Sequence, residues 1–284
     1  MEISTDHSEE INDAQFDYYG KAIATASSDK SVKIYQVGDN NINLLTTLTG
    51  HNGPVWRVSW SYPKFGKIIA SCGYARQIMV WNESSPGKWD LILRDTSFED
   101  PVNDIKFAPV TDNIFIAAVS SGGDLFSYNY DQNKWNKKAF PIHCLAANAI
   151  SFSPENGEKG PRVVTGGSDG IVKFWEFDKT ENLIEGKHTP RNEHSGSVTD
   201  VAWSPSTCGN KGTVASCSED RTVKIWQNDS EWAVSATVEL NLPVCSVSWS
   251  PLGDLLAATL TNGEVKMVQQ TDNGEWNVKS SKEE

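Results

Sequence analysis

Short apolar runs separated by polar turns recur along the whole chain, and the stretch from His194 to Trp226 shows the unit most plainly. It holds three runs, Val198 to Trp203, Val214 to Cys217 and Val223 to Trp226, the last two divided by the polar turn Ser218-Glu219-Asp220-Arg221. Each run is rich in β-branched and aromatic residues and bounded by Gly, Pro, Ser or Asp, which predicts consecutive strands of an antiparallel meander. The unit returns at a spacing of about 45 residues, a propeller signature. Its third run closes at Tyr35, Trp81, Tyr128, Trp175, Trp226 and Val268, and its first at Phe16, Trp60, Phe107, Phe152, Trp203 and Trp249. A fourth, outer strand is expected at Leu44 to Leu48 and in segments opening with Trp89, Trp135, Trp232 and Trp276; residues 178–193 are weakly patterned.

The expected fold is therefore all-β, a six-bladed β-propeller in one domain spanning 1–284, with blades at 7–49, 50–95, 96–141, 142–191, 192–240 and 241–280. Ten of the eleven tryptophans fall at strand ends or starts that recur from repeat to repeat, which assigns them to gaps between blades; Trp56 breaks the register.

Four of the five histidines also keep register, at His7, His51, His143 and His194. The spacing joins three of them to a strand hydroxyl, a turn Asp and an aromatic: His7, Thr25, Asp29 and Tyr35; His143, Thr165, Asp169 and Trp175; His194, Ser216, Asp220 and Trp226. The chemistry of such a tetrad is structural. The turn Asp accepts from the imidazole N–H, the imidazole reaches the hydroxyl, and the indole N–H donates to that hydroxyl. Ala75 replaces the turn Asp of repeat two, so His51 is expected to lack its acceptor. Repeat three has Phe98 and Gly122 at the His and Asp positions, and repeat six has Leu240 and Asn262 and ends in Val268, departures expected to loosen those turns.

Charge narrows the partners. A net charge of −12 and an isoelectric point of about 4.9 argue against a general nucleic-acid or anionic-membrane surface, and for protein partners. The acidic start MEISTDHSEE is unlike a signal peptide and no run approaches the length of a membrane span, so a cytosolic or nuclear location is expected. Cys72, Cys144, Cys208, Cys217 and Cys245 include no C-x-x-C pair and are read as reduced core thiols. Gly166 to Gly170 fits G-x-S-x-G, but lies in a strand-to-strand turn rather than a nucleophile elbow. His188 is read as a surface loop residue, and the sequons at Asn82 and Asn228 as chance matches. No catalytic, cofactor or metal site is expected.

Repeat one starts its own first strand near Ile11 and repeat six carries all four of its own, which leaves only Met1 to Asp6 to close a ring. An open seam is expected, filled by strands from a partner. Its edge residues are expected to be Ile11 and Phe16 in repeat one and Val265, Met267 and Val268 in repeat six.

Ser168 to Trp175 and Ser218 to Trp226 resemble WD repeats. More narrowly, Ile11 to Gly20, Gly50 to Trp60 with Pro63 to Gly66, and His194 to Trp203 are similar to the small WD-repeat subunit of the COPII outer coat, the Sec thirteen family, which is shared with the Y complex of the nuclear pore. The resemblance implies an open six-bladed propeller without catalysis or cofactor, completed by a seventh blade from the large coat subunit or a pore nucleoporin. It also implies a hetero-oligomeric scaffold of ER-to-Golgi transport, sited at ER exit sites, COPII vesicles and the nuclear pore, that meets membrane only through the coat. Two rival readings remain: a peptide-reading adaptor of the ubiquitin-ligase or chromatin type, which would use Trp56, Arg57 or Arg76, and the sister nuclear-pore open propeller.

Overall fold

The apolar runs pair with their sequence neighbours throughout the computed structural model, which describes residues 5–38, 41–109, 111–157, 159–186, 194–205, 212–228, 231–271 and 273–279. Blade one is β1 (Ile11–Phe16), β2 (Ala22–Ser27), β3 (Val32–Val37) and β4 (Ile42–Leu48). Blade two is β5 (Val55–Trp60), β6 (Ile68–Gly73), β7 (Gln77–Ser85) and β8 (Lys88–Asp95), with a single 3-10 turn at Pro63–Phe65 after β5. Blade three is β9 (Val102–Phe107), β10 (Ile114–Ser120), β11 (Asp124–Asp131) and β12 (Lys134–Pro141). Blade four is β13 (Ala147–Asn156), β14 (Pro161–Gly167), β15 (Val172–Phe177) and β16 (Leu183–Glu185). Blade five is β17 (Val198–Trp203), β18 (Thr213–Ser218), β19 (Thr222–Asn228) and β20 (Trp232–Glu239). Blade six is β21 (Val244–Trp249), β22 (Leu255–Leu260), β23 (Val265–Gln270) and β24 (Trp276–Val278).

Each blade is a four-stranded antiparallel meander in sequence order, the architecture of a six-bladed β-propeller. Contacts divide the chain into two compact units, residues 1–140 and 141–284, of three blades each. Cys208, His188 and residues 280–284 lie outside the described residues, as does most of the segment Met1 to Asp6.

Strand alternation gives every blade two unlike faces. On one face of blade one, Ala24, Ala26, Val32 and Ile34 pack on Val55, Val58, Ile69 and Met79 of blade two. The matching residues of blade two, Ala70, Cys72, Ile78 and Val80, pack on Val102, Ile105 and Phe107 of blade three. In the second unit Val164, Val172 and Phe174 of blade four meet Val198, Val201 and Trp203 of blade five. Ala215, Cys217, Val223 and Ile225 of blade five then meet Val244, Val247, Leu256 and Val268 of blade six. In these four junctions a blade's following face meets the next blade and its preceding face meets the one before.

One turn is built alike in all six blades. The residue after the turn Asp position has positive φ in each: Lys30 (72°), Arg76 (57°), Gly123 (88°), Gly170 (75°), Arg221 (68°) and Gly263 (85°). For a side-chain residue this left-handed conformation is unfavourable by roughly 1–2 kcal/mol, so the turn needs anchoring. Asp29, Asp169, Asp220 and Asn262 supply the anchor by accepting from the backbone N–H two residues on, at 2.9–3.1 Å. Ala75 cannot.

Candidate functional site

The turn anchors and the strand hydroxyls converge on the registered histidines. In blade five, His194 Nδ1 lies 3.0 Å from Asp220 Oδ2 and Nε2 lies 2.7 Å from Ser216 Oγ, and Trp226 Nε1 donates to the same Oγ at 2.8 Å. Blade four repeats this with His143, Asp169 (3.0 Å), Thr165 (3.0 Å) and Trp175 (3.0 Å). A carboxylate only accepts, so Nδ1 carries the proton, and burial pushes the pKa of His143 and His194 down against the pull of their Asp partners. The ring is therefore neutral and Nε2 accepts the hydroxyl proton. Burial alone would raise Asp169 and Asp220; hydrogen bonds from His143, Ile171, Thr222 and His194 hold both below the ordinary carboxylate range. The arrangement braces the turn.

In blade one, His7 contacts Asp29 and Thr25 at 2.7 Å each, while the Tyr35 hydroxyl donates to the Thr5 carbonyl. Lys33 Nζ donates to the Asp6 carbonyl at 2.6 Å, so residues 5 and 6 are tied to the side chains of β3.

Blades two and three depart in different ways. His51 Nε2 keeps its hydroxyl at 2.5 Å on Ser71, but Nδ1 is buried without a protein partner. Burial, reinforced by the Arg94 charge, pushes the His51 pKa down to about 4. Blade three, expected to be loosened, has a different brace instead. Tyr128 donates to Asp95 at 2.6 Å, and Lys137 Nζ lies 2.8 Å from the same carboxylate and 3.9 Å from the Phe98 ring centroid. Burial opposes ionisation of Asp95, yet these donors hold its pKa at about 2.

A second set of contacts, from inner strand to inner strand, is not carried by the spacing of the tetrads. Asn12 Nδ2 donates to the Val55 carbonyl (2.8 Å), Asn148 Nδ2 to Val198 (2.7 Å) and Thr199 Oγ1 to Val244 (2.6 Å). One residue on, Asp13 accepts from Val58 N–H (3.1 Å) and Asp200 from Val247 N–H (3.0 Å). Trp60 and Trp249 donate back to Gln15 and Ala202. Trp56 occupies the Asn12 position, packed 5.9 Å from Tyr74, and so does keep a register. Cys245 shares that position in the last blade and is exposed, as is Cys144, so the core-thiol reading holds for Cys72 and Cys217 alone among the described cysteines.

The end blades expose what the inner ones bury. Val198, Val201 and Trp203 on the preceding face of blade five are at most 8% exposed; their counterparts in blade one are Ile11 (40%), exposed Ala14 and Phe16 (61%). The following-face residues Ala215, Cys217, Val223 and Ile225 of blade five are all fully buried. Their counterparts in blade six are half-buried Ala257, Thr259 and Met267 and Val265, which is 53% exposed. Val268, expected at the edge, is fully buried instead, because alternation turns it toward blade five. The G-x-S-x-G serine, Ser168, sits in the turn between β14 and β15 within 3.0 Å of Asn148. Among the described residues no group of three or more His, Cys, Asp or Glu is arranged to hold a metal.

Comparison with known proteins returns the same repeats. The family described as WD domain, G-beta repeat matches residues 2–36, 42–82, 136–176 and 187–227, and the two repeats left unmatched are those without the His and Asp. The chain is 34% identical over 295 residues to the Protein SEC13 homolog of Drosophila melanogaster, covering 97% of this chain and 82% of that one. It is equally 34% identical to the Protein transport protein sec13 of Emericella nidulans, over 95% of this chain and 94% of the relative. The Protein SEC13 homolog of Dictyostelium discoideum is likewise 34% identical, over 97% and 96%.

Proposed function

This chain belongs to the Sec13 family of WD-repeat proteins, and from that premise we propose that it is a non-catalytic scaffold subunit of protein transport. It serves the COPII coat in ER-to-Golgi traffic and the Y complex of the nuclear pore, and acts in the cytoplasm at ER exit sites and on COPII vesicles as well as at the pore. Its partner is the large coat subunit or a pore nucleoporin, an extended chain that donates a seventh blade. Membrane is met only through the coat.

The observation that carries this reading is the exposure of register positions that are buried elsewhere, on the preceding face of blade one and the following face of blade six. Each is the kind of face that another blade covers in four places within the chain. Positions shaped for a blade and left bare suit a blade donor better than a small ligand. Ile11, Phe16, Val265 and Met267 are the contacts; Val268 supports them from within. The tetrads serve the same end by fixing the turns without offering a reactive group.

The test is affinity purification of the full chain from its own cells, wild type beside Val265→Asp. The expectation is a near-equimolar large helical-solenoid protein with the wild type, reduced about tenfold in the variant. Thermal stability should change little, because Val265 is already half exposed. Undiminished recovery would refute the end-face reading. Ligase or chromatin subunits in place of a solenoid protein would refute the scaffold.

A further inference from the structure

Blade two holds the donors of a turn-carboxylate site without the carboxylate. In blades one and five the turn Asp accepts from the histidine Nδ1 and from the backbone N–H of the residue after that histidine, Ser8 or Ser195. It also accepts from the backbone N–H and the hydroxyl of the residue two further on, Ser31 or Thr222. The same positions in blade two are His51, Asn52 and Gln77, around Ala75. His51 Nδ1 and Gln77 Nε2 are both buried with no protein partner, in residues only 6% and 1% exposed. Buried polar groups without a partner are uncommon in a folded protein, where they are almost always satisfied.

Ala75, the position of the missing carboxylate, opens on a groove of about 550 Å³, and His51 and Gln77 lie behind that lining. Asn52, Arg76, Lys30 and Tyr74 line it with Ala75, as do Glu99 and Asp100. We propose that this groove binds an Asp or Glu side chain of a partner polypeptide, its carboxylate taking the place that Asp29, Asp169 and Asp220 hold in other blades. Lys30 and Arg76 bring positive charge to the mouth, and Arg76 is steadied by donating to the Glu99 carbonyl at 3.1 Å. Glu99 and Asp100 oppose an acidic run, so the fitting motif is a single acid among neutral residues. A peptide fits better than a free carboxylate because Tyr74, 58% exposed and set edge-on against Trp56, offers an apolar platform to a flanking residue.

The test uses imidazole-detected ¹⁵N NMR of the full chain, with the His51 signals assigned by their loss in His51→Gln. The probes are the blocked tripeptide Gly-Asp-Gly, its Gly-Asn-Gly counterpart and acetate. The Asp peptide should shift the His51 Nδ1 resonance saturably and at least about tenfold more tightly than the Asn peptide, the margin of one charge-assisted bond. In Ala75→Asp, which supplies the carboxylate within the chain, the shift that peptide induces in the wild type should be present without peptide and the response should vanish. A His51 signal unmoved by the Asp peptide would overturn the site, its donors then being served by solvent. An undiminished response in Ala75→Asp would place binding elsewhere and overturn it too. Acetate binding as tightly as the peptide would overturn the peptide as the source of the carboxylate.

Discussion

Replacing Ala75 with Asp should stabilise this protein, against the usual direction of mutations near a buried site. The new carboxylate would accept from His51 Nδ1 and Gln77 Nε2, which lack partners, and would anchor Arg76 in the left-handed turn that Asp29 and Asp220 anchor in their blades. A hydrogen bond to a charged group contributes about 1.5–3 kcal/mol, and partial desolvation of the carboxylate offsets some of it. A net gain of about 1–2 kcal/mol is expected at pH 7, or roughly 2–4 °C in Tm per kcal/mol for a domain of this size class. The pH dependence is the sharper readout. In the wild type His51 resists protonation down to about pH 4, while in the unfolded chain it takes up a proton near 6.5. Between those values the unfolded state binds more protons, so stability falls as the pH drops, by at most ~3 kcal/mol from this residue. The introduced carboxylate would raise the folded His51 pKa and narrow that window. Differential scanning calorimetry of both proteins at pH 7 and 5 reads both effects. A variant less stable than wild type at pH 7, or with the same loss of stability between pH 7 and 5, would show that a carboxylate at this position does not meet His51 and Gln77.

Asp220→Ala is the converse change: it strands His194 Nδ1 and frees the Arg221 turn, and should cost about 1–3 kcal/mol in thermal or urea unfolding, with no cost refuting the bracing role. Asp200→Ala removes the acceptor shared by Val201 and Val247 backbone N–H groups between blades five and six. It should speed amide exchange at Val247 while leaving exchange at Thr165 in blade four unchanged, and equal protection at Val247 in both proteins would count against the inter-blade bond.

The blades are legible in the sequence because their signals repeat: an alternating run or a His-to-Asp interval compares like with like across about 45 residues. The Asn12, Asn148 and Thr199 contacts are not, since each joins unlike positions in successive repeats, a side chain on one strand and a carbonyl on the next. Their signal is the recurrence of Asn12, Asn103 and Asn148 one residue into the first strand. Trp56 looks out of register only while that position goes unread. Blade three misleads differently: losing Phe98 and Gly122 to the pattern removes one brace, while the Asp95, Tyr128 and Lys137 set that replaces it draws on three strands with no repeated spacing. Among the expected edge residues Val268 fails on strand parity, which turns neighbours in one strand to opposite sides.

The bare faces of the first and last blades bear on how the chain keeps its own company. Within the molecule a following face fits a preceding face, so any copy carries both halves of a head-to-tail contact, the geometry that grows filaments when nothing closes it. Charge opposes that growth. At −12 the copies repel one another over a Debye length of about 8 Å in physiological salt, while half-buried Thr259 keeps the following face of blade six from being wholly apolar. The same acidity thus acts as a colloidal safeguard, holding apart copies whose end blades would otherwise adhere.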